Sequence, residues 1–151
     1  MNQVITAAAG FLIAVLWFDL MFDVQLRTHR ELSEDATAPL DSISAYYRRV
    51  TTTASPMGRL VALVMLALIA GLIAQAVRAD APGWVSVVSI VAAAIGIGLA
   101  GARTLPAAQR LGARVDPLDM QHRAGRGILR DHLVCLAAMV TLLVTQLAGT
   151  W

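Results

Sequence analysis

The chain has 151 residues, 58% of them hydrophobic, and sets 12 basic against 10 acidic side chains for a net charge near +2. That small positive balance asks for no nucleic-acid partner. A soluble domain of this length would be built of amphipathic helices with polar faces, and a closed β-barrel of short alternating segments; neither pattern is present.

The first apolar run covers 4–24. No basic residue precedes it and it ends in Asp-rich sequence, so it is expected to stay in the protein rather than to be cleaved as a signal peptide. Two acids interrupt it, Asp19 and Asp23. A carboxylate near the middle of a membrane helix costs about 2.5–3.5 kcal/mol on insertion scales, so such a residue usually faces a partner or a cavity. At 100° per residue Asp19, Asp23 and Arg30 share one stripe, with Arg27 at its margin and Leu12 and Leu16 extending it outward.

The following stretch, from Glu31 to Pro39, is expected to be flexible. Asp41 or Ser42 then suits the cap of a helix carrying Ile43, Tyr46, Tyr47 and Val50. Tyr46-Tyr47-Arg48-Arg49 reads as a membrane-surface anchor, tyrosine at the headgroups and arginine on phosphates. Ser55-Pro56 opens a second apolar run over 57–77. After a short turn at 78–83, a third run covers 84–102 and is predicted to continue through Arg103 and Gln109 toward Gly112, bent at Pro106. Its small residues Ala94, Gly98 and Ala102 recur every fourth position, a ridge that suits close helix packing and a homodimer. Asp116-Pro117-Leu118-Asp119 carries an N-cap, a first-turn proline and an acid, so the last helix should begin well before its apolar run at 129–149.

Each of these runs approaches the twenty or so residues that an α-helix needs to cross about 30 Å of hydrocarbon. The expected fold is therefore all-α: one domain, 1–151, an integral membrane four-helix bundle whose helices extend past the cytoplasmic face. Eleven of the twelve arginines flank the two long connections and only Arg78 lies in the short turn. The positive-inside rule then puts the long connections in the cytoplasm and both termini outside, in the bacterial plasma membrane.

Folding this bundle brings Asp19, Asp23 and Arg30 of the first helix toward Arg103 and Arg110 of the third and Arg130, Asp131 and His132 of the fourth. Three readings follow. The charges form structural ion pairs, as in an assembly subunit of a membrane complex; or they form the polar mouth of a pocket that binds or transforms a hydrophobic or aromatic molecule or lipid; or Asp19 belongs to a proton-linked transporter. In the pocket reading Asp19 and His132 are the candidate bases, since burial brings either group toward neutrality. Asp23, Arg30, Arg103, Arg110, Arg130 and Asp131 orient the ligand. Asp19 is expected to pair with Arg130 or Arg103.

His29, His122 and His132 have no metal-ligand spacing, so no metal and no cofactor is expected. His29 and His122 fall in polar segments and read as interfacial. The lone Cys135 lies in the fourth run and reads as a small apolar side chain. Phosphate-loop, dinucleotide and nucleophile-elbow motifs are absent.

Taken together, Ala45-Tyr46-Tyr47-Arg48-Arg49-Val50, Ala54-Ser55-Pro56-Met57, Arg103-Thr104-Leu105-Pro106-Ala107-Ala108-Gln109-Arg110-Leu111 and Arg130-Asp131-His132 resemble the anthrone-oxygenase-like family of small four-span proteins. The resemblance implies the four-span fold and cofactor-free oxygenation of an aromatic or polyketide-like substrate.

Overall fold

The structure, a computed structural model, describes residues 2–29, 31, 33–53 and 55–149. Its helices are α1 (Asn2–Asp23), α2 (Glu34–Arg48), α3 (Ser55–Arg78), α4 (Gly83–Leu99), α5 (Leu105–Ala113) and α6 (Leu118–Ala148). Four helical stretches, Asn2–Leu26, Pro56–Arg78, Gly83–Ala113 and Leu118–Ala148, are long and apolar enough to cross a membrane. The protein is an all-α, multi-pass membrane bundle. Its outward faces agree with that environment: Trp17, Phe18, Leu63, Leu66, Val77 and Val87 are all exposed, as lipid-facing positions of a spanning helix should be.

In the bundle α1 packs against α6 and α3, and α4 packs against α6 and α3. Ile5, Ala9 and Leu12 of α1 meet Leu68 and Leu72 of α3, Ala92 and Ala93 of α4, and Met139 and Leu142 of α6 in the main core. Small residues let these backbones approach. A Cβ on Gly96 would lie 2.7 Å from Met139 Cε. Only the second half of α3 takes part: no side chain described between Pro56 and Ala67 is fully buried, whereas Leu68 and Leu72 are. The first half of α3 thus stands away from its neighbours.

The connections are more ordered than the sequence suggests. Helix α2 starts at Glu34 and runs through Pro39, so most of the stretch expected to be flexible is helical. Pro39 sits in the second turn, where it withholds one intrahelical hydrogen bond without ending the helix. What holds α2 is tertiary: Leu40, Ile43 and Tyr47 pack with Leu26, Ala108, Leu111 and Ile128 in a second core. Helices α2 and α5 touch closely at Gly112, where a Cβ would lie 2.6 Å from Arg48 N. Together they cap one end of the bundle. The start of α1, the end of α6 and the Arg78–Gly83 turn lie at the other end, where Asn2 donates to the Gln146 carbonyl at 3.4 Å.

The third span does continue to Ala113, and Pro106 does disturb it, but as a π-turn over Ala100–Thr104 just ahead of the proline. Widening the helix there relieves the contact between the proline ring and the preceding turn. Helix α6 begins at Leu118 with Pro117 as the N-cap residue, and no side chain caps it. The ridge of Ala94, Gly98 and Ala102 is exposed, and a Cβ on Gly98 would meet nothing within 4 Å; it is not used inside the bundle.

Candidate functional site

Under the α2–α5 cap, five polar side chains from three helices meet. Helix α1 sets Asp19 and Asp23 one turn apart; α2 supplies Tyr46 and Tyr47; α6 supplies His132. Asp23 is fully buried. Its Oδ1 accepts the Tyr47 hydroxyl at 2.7 Å and its Oδ2 lies 2.6 Å from His132 Nδ1. A carboxylate only accepts, so this contact puts the proton on Nδ1. The other ring nitrogen, Nε2, is 3.9 Å from Asp19 Oδ2, beyond hydrogen-bonding distance. Asp19 Oδ1 accepts the Tyr46 hydroxyl at 2.6 Å.

The two tyrosines are therefore proton donors turned toward the bundle rather than headgroup anchors. Phe22 stacks on Tyr46 with centroids 4.0 Å apart, and Tyr47 meets Tyr46 edge-on at 5.3 Å. Burial, reinforced by the two carboxylates, pushes both phenols well above the ordinary tyrosine range. They stay protonated and keep donating.

The arginines do not join this cluster. Arg103 and Arg130 both reach Asp131, at 3.4 and 3.7 Å, so neither is the partner of Asp19 that the helix faces suggest. Arg110 is paired with Asp116 on the exposed side of α5. Arg30 lies outside the described residues. The convergence expected of acids and guanidinium groups thus splits in two: an Asp-His-Tyr cluster inside and an Arg-Asp layer around Asp131. The reason is reach: the α2 tyrosines fold back under the cap and occupy the carboxylates first.

His122 corrects a second expectation. It is buried, with Nε2 3.1 Å from the His29 carbonyl oxygen, and so ties α6 to the segment after α1. Cys135 is buried as anticipated, its thiol 3.3 Å from the Gly96 carbonyl. Among the described residues no group of His, Cys, Asp and Glu is arranged to hold a metal ion.

Beside the Asp-His-Tyr cluster lies a cavity of about 770 Å³, formed where the first half of α3 stands off from α1 and α4. Leu16, Val61, Met65, Ile97 and Met139 give it apolar walls, and Asp19, Tyr46 and His132 lie at its polar end. Arg59 is on its rim. The volume falls in the range of about 300–1,000 Å³ usual for small-molecule sites.

The opposite end of the bundle holds a polar group that the sequence reading missed. Gln75 and Gln146 exchange side-chain hydrogen bonds at 3.0 and 2.9 Å, and Gln146 also reaches Ser89 Oγ at 2.9 Å. A lone amide in each of two apolar runs, at matching depth, is the signal that points to it.

No family model, curated protein or solved structure matches the chain.

Proposed function

We propose that the cavity under the α2–α5 cap is a binding site for a hydrophobic or aromatic small molecule, entered from the side between α1 and the first half of α3. The observation that carries this reading is the composition of the cavity: apolar walls of ligand size ending at Asp19 and His132. A clasp that served stability alone would bury those groups against one another. Here Asp19 Oδ2 and His132 Nε2 remain 3.9 Å apart, beyond hydrogen-bonding distance, and both residues line the cavity.

In this reading Asp23 positions rather than binds. It holds the Nδ1 proton of His132, so that in the neutral imidazole Nε2 is the acceptor at the cavity, the arrangement that a general base requires. A bound molecule with an acidic C–H or phenol would give its proton to Nε2 or to Asp19, and Asp23 would stabilise the resulting imidazolium. The resemblance to anthrone-oxygenase-like proteins makes cofactor-free oxygenation, with dioxygen as co-reactant, the first reaction to assay. The arginine asymmetry supports a cytoplasmic position for this end.

The test is native mass spectrometry of the gently extracted full chain, with three variants. Wild type should carry a co-purified small molecule, and Asp19→Asn, His132→Gln and Ala62→Trp, which fills the cavity from α3, should each lose it while keeping their helical content. If wild type carries nothing, or if Ala62→Trp retains the same molecule, the cavity is not a site. The assembly reading is then preferred.

A further inference from the structure

Arg103, Arg130 and Asp131 stand apart from the cavity: none of them lines it. Arg103 is presented by the π-turn that follows α4 and Arg130 by α6, and both lean on the buried Asp131 carboxylate, at 3.4 and 3.7 Å. Hydrogen bonds from guanidinium N–H groups are shorter, about 2.7–3.2 Å. Asp131 therefore orients the two guanidinium groups by charge without saturating them. The trio sets two positive charges against one negative, and both arginine side chains are more than half exposed.

Their depth decides what meets them. Arg103 directly follows the apolar run over 84–102 and Arg130 stands in the first turn of the run over 129–149, so both lie where hydrocarbon gives way to lipid headgroups. Toward the hydrocarbon, Ile95 and Leu99 precede Arg103 on successive turns of α4, and Val134 follows Arg130 one turn along α6. Ile95 and Val134 are exposed and Leu99 partly so, on two helices that pack side by side. One turn before Arg130 there is room for a headgroup: a Cβ on Gly127 would meet nothing within 4 Å.

We propose that this surface holds an anionic phospholipid, its phosphate between Arg103 and Arg130 and one acyl chain along Ile95, Leu99 and Val134. Arginine suits a phosphate because its planar fork offers parallel N–H donors to two oxygens at once. Basic recesses between spanning helices at the membrane surface are where the headgroups of such lipids bind. A free phosphate would use the arginines and leave the apolar seam beside them without a role. A zwitterionic lipid brings an ammonium that the surplus positive charge repels. The site is independent of the cavity and of whatever the cavity binds.

The experiment is native mass spectrometry of the detergent-solubilised full chain titrated with dioleoyl phosphatidylglycerol or dioleoyl phosphatidylcholine, which differ only in the headgroup. Phosphatidylglycerol should bind about ten-fold more tightly, the usual worth of a charge-assisted hydrogen bond. Changing Arg103→Gln and Arg130→Gln together should remove that preference. Arg48→Gln, at an exposed arginine of α2, and Ala62→Trp, which fills the cavity, should both keep it. If the double variant fails to fold because Asp131 is left buried without a cation, adding Asp131→Asn removes the unpaired charge and should show the same loss. Equal binding of the two lipids would overturn the proposal, as would a preference that survives removal of both arginines. A preference lost equally in Arg48→Gln would overturn it in favour of a diffuse basic surface. Displacement of phosphatidylglycerol by an equimolar amount of glycerol phosphate would overturn the lipid and assign the arginines to a soluble phosphate compound.

Discussion

The two ends of this bundle each bury a polar group between apolar helices, and they do so with opposite chemistry. At the terminal end Gln75 and Gln146 are matched partners: each amide gives and accepts, and Ser89 Oγ takes a further N–H. Neutral amides satisfy each other with no charge to compensate. At the capped end the hydrogen bonds among the described residues run from Tyr46, Tyr47 and His132 Nδ1 to two carboxylates, and Asp19 Oδ2 is left without one beside a cavity. A self-satisfied pair is what a purely structural contact between membrane helices requires. An unbalanced charged group beside ligand-sized space is what a site requires.

The sharpest way to break the comparison is to remove one partner at each end. His132→Leu leaves the fully buried Asp23 with Tyr47 as its only side-chain donor among the described residues, and breaking a buried charged pair in this way costs about 3–5 kcal/mol. Gln75→Leu leaves a neutral amide unpaired and costs about 1–3 kcal/mol. Replacing Gln75 and Gln146 together by Leu should cost less than the sum of the single changes, because neither is then left unpaired. Denaturant titration in detergent reads all three, and equal losses at the two ends would erase the distinction drawn here.

A smaller effect tests the cap itself. In Gly112→Val the new Cβ meets the α2 backbone at Arg48 N and Arg48 Cα, 2.6 and 2.9 Å away. Backbone cannot rotate aside, so α2 must lift, at a cost of about 1–3 kcal/mol. Limited proteolysis should then cut within α2 faster than in wild type while the Gln75–Gln146 end stays protected.

The smallest effect is in pH dependence. Burial and the neighbouring carboxylates raise the Tyr46 and Tyr47 phenols above their unfolded value of 10.0. A raised folded value means that their contribution to stability is complete below pH of about 10 and is lost progressively above it. Alkaline unfolding should therefore begin at the capped end. The double change of Tyr46 and Tyr47 to Phe should flatten the loss above that pH while lowering stability at neutral pH, because the hydrogen bonds to Asp19 and Asp23 are gone. An unchanged alkaline profile would mean that neither phenol is buried against a carboxylate.

The spans were legible in the sequence because hydropathy over twenty residues is a strong signal, and the stripe of Asp19 and Asp23 marked an interior face for the same reason. What lay beyond reach was the path of α2. Pro39 and the polar run before it look like a loop, and only the second core of Leu26, Leu40, Ile43 and Leu111 makes the segment helical and turns its tyrosines inward. Once Tyr46 and Tyr47 reach the acids, the arginines are left for Asp131, Asp116 and Asp119. Charge alone could not rank those partners, since exposed guanidinium pairs are worth only about 0–1 kcal/mol and follow local geometry. Helix facing located the carboxylates, whereas their partners depended on how a capping helix folds back.

The central claim, that the capped end is an open site and not a closed clasp, is tested most directly by a crystal structure of the full chain grown from a lipid mesophase. Density for a bound molecule is expected along Leu16, Met65 and Met139, with its polar end within hydrogen-bonding distance of Asp19 Oδ2 and His132 Nε2. A first half of α3 closed onto α1 and α4, with no cavity and Asp19 bonded directly to His132, would contradict an open site.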